Sequence, residues 1–328
     1  DGDLLVTEKP GRLRVIRDGT LIADPVRGLP EVHARGQGGL LDIQLHPDFP
    51  SNRLVYLTYS KPLPDGGATT ALIRGTFEAH RLLNVEELFV ADSRGGGHYG
   101  SRIVFDGRGH VFISVGDRQV PPRGDLESHP AQDLSNHHGV VIRLNDDGSV
   151  PDDNPFVDER GALPEIWSYG HRNIQGMAMH PETGDLWANE HGPQGGDELN
   201  LIEPGLNYGW PVIGYGVNYG SGSAIHESTH REGMEQPVHY WVPSIATSGL
   251  MIYTGDRFPQ WQGSFFIGGL AGEQIARLTM DGRDVVAEET LLQDFGRVRD
   301  IVQGPDGFIY VAIDQQDAPI IRLEPTGR

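Results

Sequence analysis

Short apolar or alternating runs follow one another along the whole chain, each stopped by Gly, Pro, Asp or Asn. The spacing has period two, which predicts strands. No stretch of about twelve residues carries a helical stripe, so a doubly wound α/β fold is not expected. One pattern recurs: a Pro/Asp/Gly turn, a short apolar strand, a gap, and a second strand often ending in Arg-Leu. It appears as DGDLLVTE with GRLRVI from Asp1, HPDFPSNRLVYLTYS with ALIRGTF from His46, and FDGRGHVFISVGD with GVVIRLN from Phe105. It returns as HPETGDLWANE with DELNLI from His180, FPQWQGSFFIGGL with QIARL from Phe258, and GPDGFIYVAID with PIIRLEP from Gly304.

Six copies predict an all-β, six-bladed β-propeller over residues 1–328, read as one domain because no low-complexity linker divides it. A single four-stranded sheet cannot bury both of its faces, whereas a ring of sheets can. Inter-strand loops then gather on one face and are expected to carry function. A sandwich would want more even spacing. The chain opens in mid-pattern, so the first strand of blade one is expected upstream of Asp1.

Composition narrows the function classes. Gly 45 and Pro 23 of 328 residues mean many turns and little helix. Lys+Arg 26 against Asp+Glu 46 gives a net charge of −20, which repels phosphate and argues against nucleic-acid or anionic-membrane partners. With Cys 0 there is no disulfide, thiolate nucleophile or Cys-ligated zinc. No run approaches the ~20 apolar residues of a membrane span.

HESTHREGMEQ, from His226, matches the H-E-x-x-H zinc signature. Its surroundings are Gly/Ser-rich, Pro237 follows closely, and Gln236 stands where a third ligand should be, so a polar loop is expected instead. The acidic LNDDGSVPDDNP lacks EF-hand spacing and is expected to be a turn. No G-x-S-x-G elbow, P-loop or dinucleotide fingerprint is present.

Four segments carry chemistry. In GGGHYGSRIVFDG, His98 follows three glycines, and a neutral imidazole there suits a general base, although the segment alone favours a solvated loop histidine. Arg172 and Asn173 stand side by side and can donate to a carbonyl or developing oxyanion, or form an ordinary turn. Gly192-Pro193 precedes Asp197 and Glu198. Pro193 donates no hydrogen bond, leaving carbonyls free for a hard cation such as calcium. Arg297 and Arg299 are two apart, so on a strand they face the same way and can grip one polyanion.

Taken together, GQGGLLDIQLHPDF, HYGSRIVFDG, AQDL, GSVPDDNPF, EIWSYGHRNIQGMAM, NEHGPQGGDELN, NYGWP, FPQW and GRVRDIVQGPDGFIYV resemble the soluble quinoprotein glucose/sorbosone dehydrogenases, most of all the bacterial soluble aldose sugar dehydrogenases. The resemblance runs through nearly the whole chain in order. It implies a six-bladed propeller that uses pyrroloquinoline quinone (PQQ) and calcium to oxidise an aldose at C1. It further implies His98 as general base, Arg172 polarising the quinone oxygen with Asn173 beside it, and Gln37 lining the site. Arg297 and Arg299 would meet cofactor carboxylates, and the Gly192 and Pro193 carbonyls would hold the cofactor calcium. Glu198 and the Tyr208 carbonyl would hold a second, structural calcium. An external electron acceptor and a periplasmic or secreted location are the corresponding expectations.

Two positions depart from the family. Ala271 stands where a Lys often meets the cofactor, and losing one charge-assisted contact is worth roughly 1.5–3 kcal/mol. Gly97 precedes His98 where well-known glucose dehydrogenases have Asp. Ala271 would favour a non-catalytic or weakly PQQ-binding propeller as the alternative, and a calcium-dependent propeller lactonase is the rival enzyme.

Overall fold

In the computed structural model, which describes residues 2–326, each repeat folds as a pair of adjacent antiparallel strands. Asp1, where the first repeat starts, lies outside the described residues. Six antiparallel sheets follow in chain order, and the fold is a six-bladed β-propeller. Sheet one holds β1 (Leu4–Glu8), β2 (Arg12–Arg17) and β3 (Thr20–Leu21). Sheet two holds β4 (Leu40–Leu45), β5 (Leu54–Pro62), β6 (Ala68–Glu78) and β7 (Arg81–Val90). Sheet three holds β8 (Ile103–Phe105), β9 (His110–Val115), β10 (Val140–Asn145) and β11 (Ile166–Tyr169). Sheet four holds β12 (Ile174–Met179), β13 (Leu186–Glu190), β14 (Asp197–Ile202) and β15 (His239–Trp241). Sheet five holds β16 (Thr247–Ile252), β17 (Phe265–Gly269), β18 (Gln274–Asp281) and β19 (Asp284–Leu291). Sheet six holds β20 (Val298–Gln303), β21 (Ile309–Ile313) and β22 (Ile320–Leu323). Among the described residues, helix is confined to Phe49–Asn52 and three short 3-10 turns.

The repeated motif supplies the second and third strands of sheets two to six. In sheet one it supplies β1 and β2, and among the described residues no strand precedes the pair there. The chain forms two compact units. One is Asp1–Asn173 with Pro204–Asn207, carrying sheets one to three. The other is Ile174–Glu203 with Tyr208–Arg328, carrying sheets four to six.

Both faces of the inner sheets are covered, which is why their strands read as nearly continuous apolar runs. Along β5, Val55, Leu57 and Tyr59 turn toward Leu13 and Val15 of sheet one, while Tyr56 turns toward Ile113 and Ile142 of sheet three. Along β17, Phe265 and Ile267 join Trp187 and Leu199 of sheet four, while Phe266 joins Ile301 and Ile309 of sheet six. This is the period-two alternation of a strand applied to two cores at once. Phe265 meets Trp187 edge to face, with ring centroids 5.1 Å apart.

Phe265→Ala therefore empties a fully buried site between two sheets and should cost about 3–5 kcal/mol of stability. Val286→Ala, on the exposed strand β19, should stay within about 0.5 kcal/mol. Chemical denaturation of both variants checks the pair; equal midpoints would contradict this packing.

Candidate active site

In the first unit, register brings four loops to one end of sheets two and three. The His98 loop leads into β8, Asp117 follows β9, Arg172 and Asn173 follow β11, and Gln37 precedes β4. Because β8 and β9 are antiparallel, with Ile103 opposite Ile113, the start of one strand lies beside the end of the other.

Local backbone shape sets His98. Its φ is 43°, and Arg118 and Gln119 across from it both have φ 60°. These left-handed residues let two loops approach closely. The His98 N–H donates to Gln37 Oε1 at 2.7 Å, and its Nδ1 lies 2.6 Å from Asp117 Oδ1. The two side chains are 9% and 1% exposed. Asp117 also accepts the Gln119 N–H at 2.8 Å, and its own N–H donates to Arg172 O at 2.8 Å. Asn173 Oδ1 accepts the Gly100 N–H at 3.2 Å. Gln37, His98, Arg172 and Asn173 thus belong to one connected set of loops.

Burial pushes the His98 imidazole below its ordinary range, and the Arg172 and Arg118 charges add to this against the opposing pull of Asp117. Burial raises Asp117, but the His98 contact, the Arg172 charge and the Gln119 N–H outweigh it and hold the carboxyl below the usual range. A neutral ring beside an ionised carboxylate places the proton on Nδ1, donated to Asp117, and leaves a lone pair on Nε2. That is the arrangement of an oriented general base.

Asp117 was not singled out in the sequence. Its only signal is an acid directly after the apolar run VFISVG, at the end of a buried strand. Gly97 also has a structural reason. An added Cβ would lie 2.6 Å from Gln119 Oε1 and 2.7 Å from Gln37 Oε1, so two carboxamides occupy the space an Asp side chain would need.

The second unit holds the remaining candidates. Gly192 and Pro193 lie buried between β13 and β14. Asp197 fixes their loop: Oδ1 accepts the Gly192 N–H at 2.9 Å and Oδ2 the Thr247 N–H at 3.2 Å. Among the described residues, no donor reaches the Gly192 or Pro193 carbonyl. Glu198 pairs in register with Glu190 on β13. Asn200 Nδ2 donates to Glu198 Oε2 at 3.2 Å and to Glu190 Oε1 at 3.3 Å, and its own buried Oδ1 has no donor among the described residues. Burial, and then the Glu190 charge, push Glu198 up to about 8. Carboxylate and amide oxygens are ligand types for a hard cation, although among the described residues no group of three or more His, Asp or Glu is placed to hold one. Glu190 is the member that motif reading missed. The Tyr208 hydroxyl donates to Leu201 O on the same strand β14 at 2.6 Å and accepts the Glu203 N–H at 2.9 Å.

Arg297 precedes β20 and Arg299 lies in it. The register shifts between Val298 and Asp300, yet both guanidinium groups reach Asp314, at 3.6 and 3.2 Å. Both guanidinium groups are thus gathered at one carboxylate. Arg299 also donates to Gln175 Oε1, and Arg297 to Leu270 O, each at 3.2 Å. Ala271, next to Leu270, is exposed, and its N–H donates to Ile245 O at 3.0 Å.

The HESTH segment is a loop, not a helix. His226 is more than a chance residue there. Its Nδ1 bonds Pro211 O at 2.7 Å and its ring meets Trp210 edge to face, fastening the loop. The acidic LNDDGSVPDDNP runs from the end of β10 into turns, and Arg143 on β10 donates to Asp153 Oδ1 at 2.9 Å.

The family model described as Glucose / Sorbosone dehydrogenase matches residues 1–322. Aldose sugar dehydrogenase YliI of Escherichia coli strain K12 is 43% identical, over 98% of this chain and 86% of its own length. The crystal structure of the apo form of the soluble aldose sugar dehydrogenase from E. coli superposes with TM-score 0.93 at 41% identity, covering 99% of this chain and 93% of that one. The PQQ-bound aldose sugar dehydrogenase from Streptomyces coelicolor superposes with TM-score 0.80 at 26% identity, covering 98% and 90%.

Asp117 supplies the contributions that raise the His98 pKa, so removing its charge should lower that pKa further. With Asp117→Asn, the acid limb of kcat/KM should move to lower pH while the rate falls by about 10²–10⁴ from lost orientation and basicity. A limb that moves up, or an unchanged rate, would contradict the pairing.

Proposed function

Because the chain belongs to the glucose/sorbosone dehydrogenase family, we propose that it oxidises aldose sugars at C1 to the lactone, using PQQ and calcium and passing the electrons to an external acceptor. The observation that carries this reading is the buried His98–Asp117 pair, an imidazole with a free Nε2 in a protein of sugar-oxidising kin. The relative described as PQQ-bound supports the choice of cofactor.

The residues suit the groups. Gly192 and Pro193 offer two buried carbonyls without donors, and Glu190, Glu198 and Asn200 offer oxygens in excess of cations. Arg297 and Arg299 bring two guanidinium groups together at Asp314, the donor type that would hold the carboxylates of PQQ. When bound, PQQ supplies a two-electron acceptor for hydride, with calcium as Lewis acid.

The protein's own part is positioning and proton transfer. His98 Nε2 takes the proton of the anomeric hydroxyl as the C1 hydrogen leaves with its electron pair, and the C1–O bond becomes the lactone carbonyl. Asp117 stabilises the imidazolium that forms, without itself taking the proton. Arg172, buried and joined to Asp117 through its backbone, and Asn173 beside it orient the loops and present donors to an oxygen gaining charge. Gln37 fixes the His98 backbone.

Delivery of electrons to an acceptor outside the cytoplasm fits a periplasmic or secreted enzyme, and a Cys-free chain tolerates that compartment. The net charge of −20 speaks against nucleic acid as a partner. No helix among the described residues is long and apolar enough to cross a membrane.

Reconstitution with PQQ and calcium, followed by dye reduction across a sugar panel, tests the reading. Aldose-dependent reduction is expected, falling by about 10²–10⁴ in His98→Ala with PQQ binding largely kept. Absence of both PQQ binding and activity with every aldose would overturn it.

A further inference from the structure

Arg118 is a fully buried cation to which the proposed reaction assigns no step. It is 1% exposed, and none of its described contacts is an ion pair. Its guanidinium is held by carbonyls instead: Nη1 donates to Gly97 O, and Nη2 to Ala68 O at 3.0 Å and Gly95 O at 3.3 Å. The guanidinium carbon lies 3.7 Å above the centre of the Tyr99 ring. The residues it grips, Gly97 and Tyr99, are the two chain neighbours of His98.

The backbone is built for this contact. Arg118 has φ 60°, a conformation that costs a non-glycine residue free energy and persists where surrounding contacts enforce it. Gly95, with φ 156°, has no room for a Cβ because Arg118 O and Arg118 Cβ fill that space. The loop 117–119 therefore meets the loop 95–99 at several points. Asp117 takes the imidazole, Arg118 takes Gly95, Gly97 and Tyr99, and the Gln119 carboxamide packs on Gly97.

A buried guanidinium is an expensive way to tie a loop, since desolvating it costs several kcal/mol that carbonyl dipoles offset only in part. A neutral side chain could hold the same backbone. What a cation adds is a field at His98. The charged groups acting on that ring are Asp117, which favours its protonation, and Arg172 and Arg118, which oppose it.

We propose that Arg118 is a positioning residue for the sugar oxidation, clamping both chain neighbours of His98 so that Nε2 is aimed. The proposal rests on the reading of His98 as the base. Arg118 touches neither substrate nor cofactor in this account. Its planar fork reaches three carbonyls and an aromatic face at once, which a lysine ammonium cannot reproduce.

Two variants separate aim from charge. Arg118→Lys keeps the charge and loses the fork. The PQQ- and calcium-loaded enzyme should lose about tenfold to a hundredfold in kcat, with little change in sugar KM, because misplacing a catalytic group by about 1 Å costs on that order. The His98 pKa, followed by ring NMR in the cofactor-free protein, should stay where the wild type has it. Arg118→Met loses both, so kcat should fall at least as far. If the Met variant does not fold, the Lys variant decides alone. Wild-type kcat in Arg118→Lys, or a loss explained wholly by the fraction folded, would overturn the proposal. If wild type itself shows no aldose oxidation, the functional reading fails instead, while the NMR titration still reports on Arg118.

Discussion

A carboxylate with 1% of its side chain exposed needs compensation for the water it has lost, and Asp117 finds it in the ring of His98, 2.6 Å away. Much of the first unit's loop architecture serves that contact. Sheet three places the end of β9 beside the start of β8, so the acid and the imidazole arrive from opposite chain directions. Left-handed residues on both loops close the remaining distance. Gln37 fixes the histidine backbone, and Arg172 O fixes the aspartate backbone. Each bond restricts a different degree of freedom, and the result is a ring whose reactive nitrogen is the one not committed to the protein.

The sheets beneath can support such loops because both of their faces are packed. β5 and β17 send alternate side chains into two separate cores, so neither strand can rotate or slip by one residue without exchanging the contents of both. The second and third strands of sheets two to six were legible in the chain for this reason: they are dense in apolar residues and begin at strong turns. The outer strands were harder to read. β19, DVVAEETL, is largely exposed, and β15 is three residues, so neither needs a marked apolar pattern.

The candidate site was legible where function requires an unusual residue type in an unusual place. His98 after three glycines, the Arg172–Asn173 pair and the Arg297–Arg299 pair all stand out in an acidic chain. Asp117, Arg118, Gln119 and Glu190 did not, because a polar residue at a strand end looks the same whether it faces water or lies buried. Only the register reveals that Glu190 stands opposite Glu198, and only the close approach of two loops reveals that Arg118 lies on Tyr99. The HESTH loop is the reverse case, a strong motif whose first histidine serves to hold Trp210 and Pro211 in place.

The central claim is that His98 stands neutral, with its proton on Nδ1 toward an ionised Asp117. Nitrogen-15 NMR of the histidine rings, with His98 assigned by its loss in His98→Gln, tests this directly. At pH 7 the account predicts a protonated Nδ1, an unprotonated Nε2, and a titration midpoint below the ordinary 6.5 of histidine. A proton on Nε2 at that pH, or an imidazolium titrating above 6.5, would contradict it.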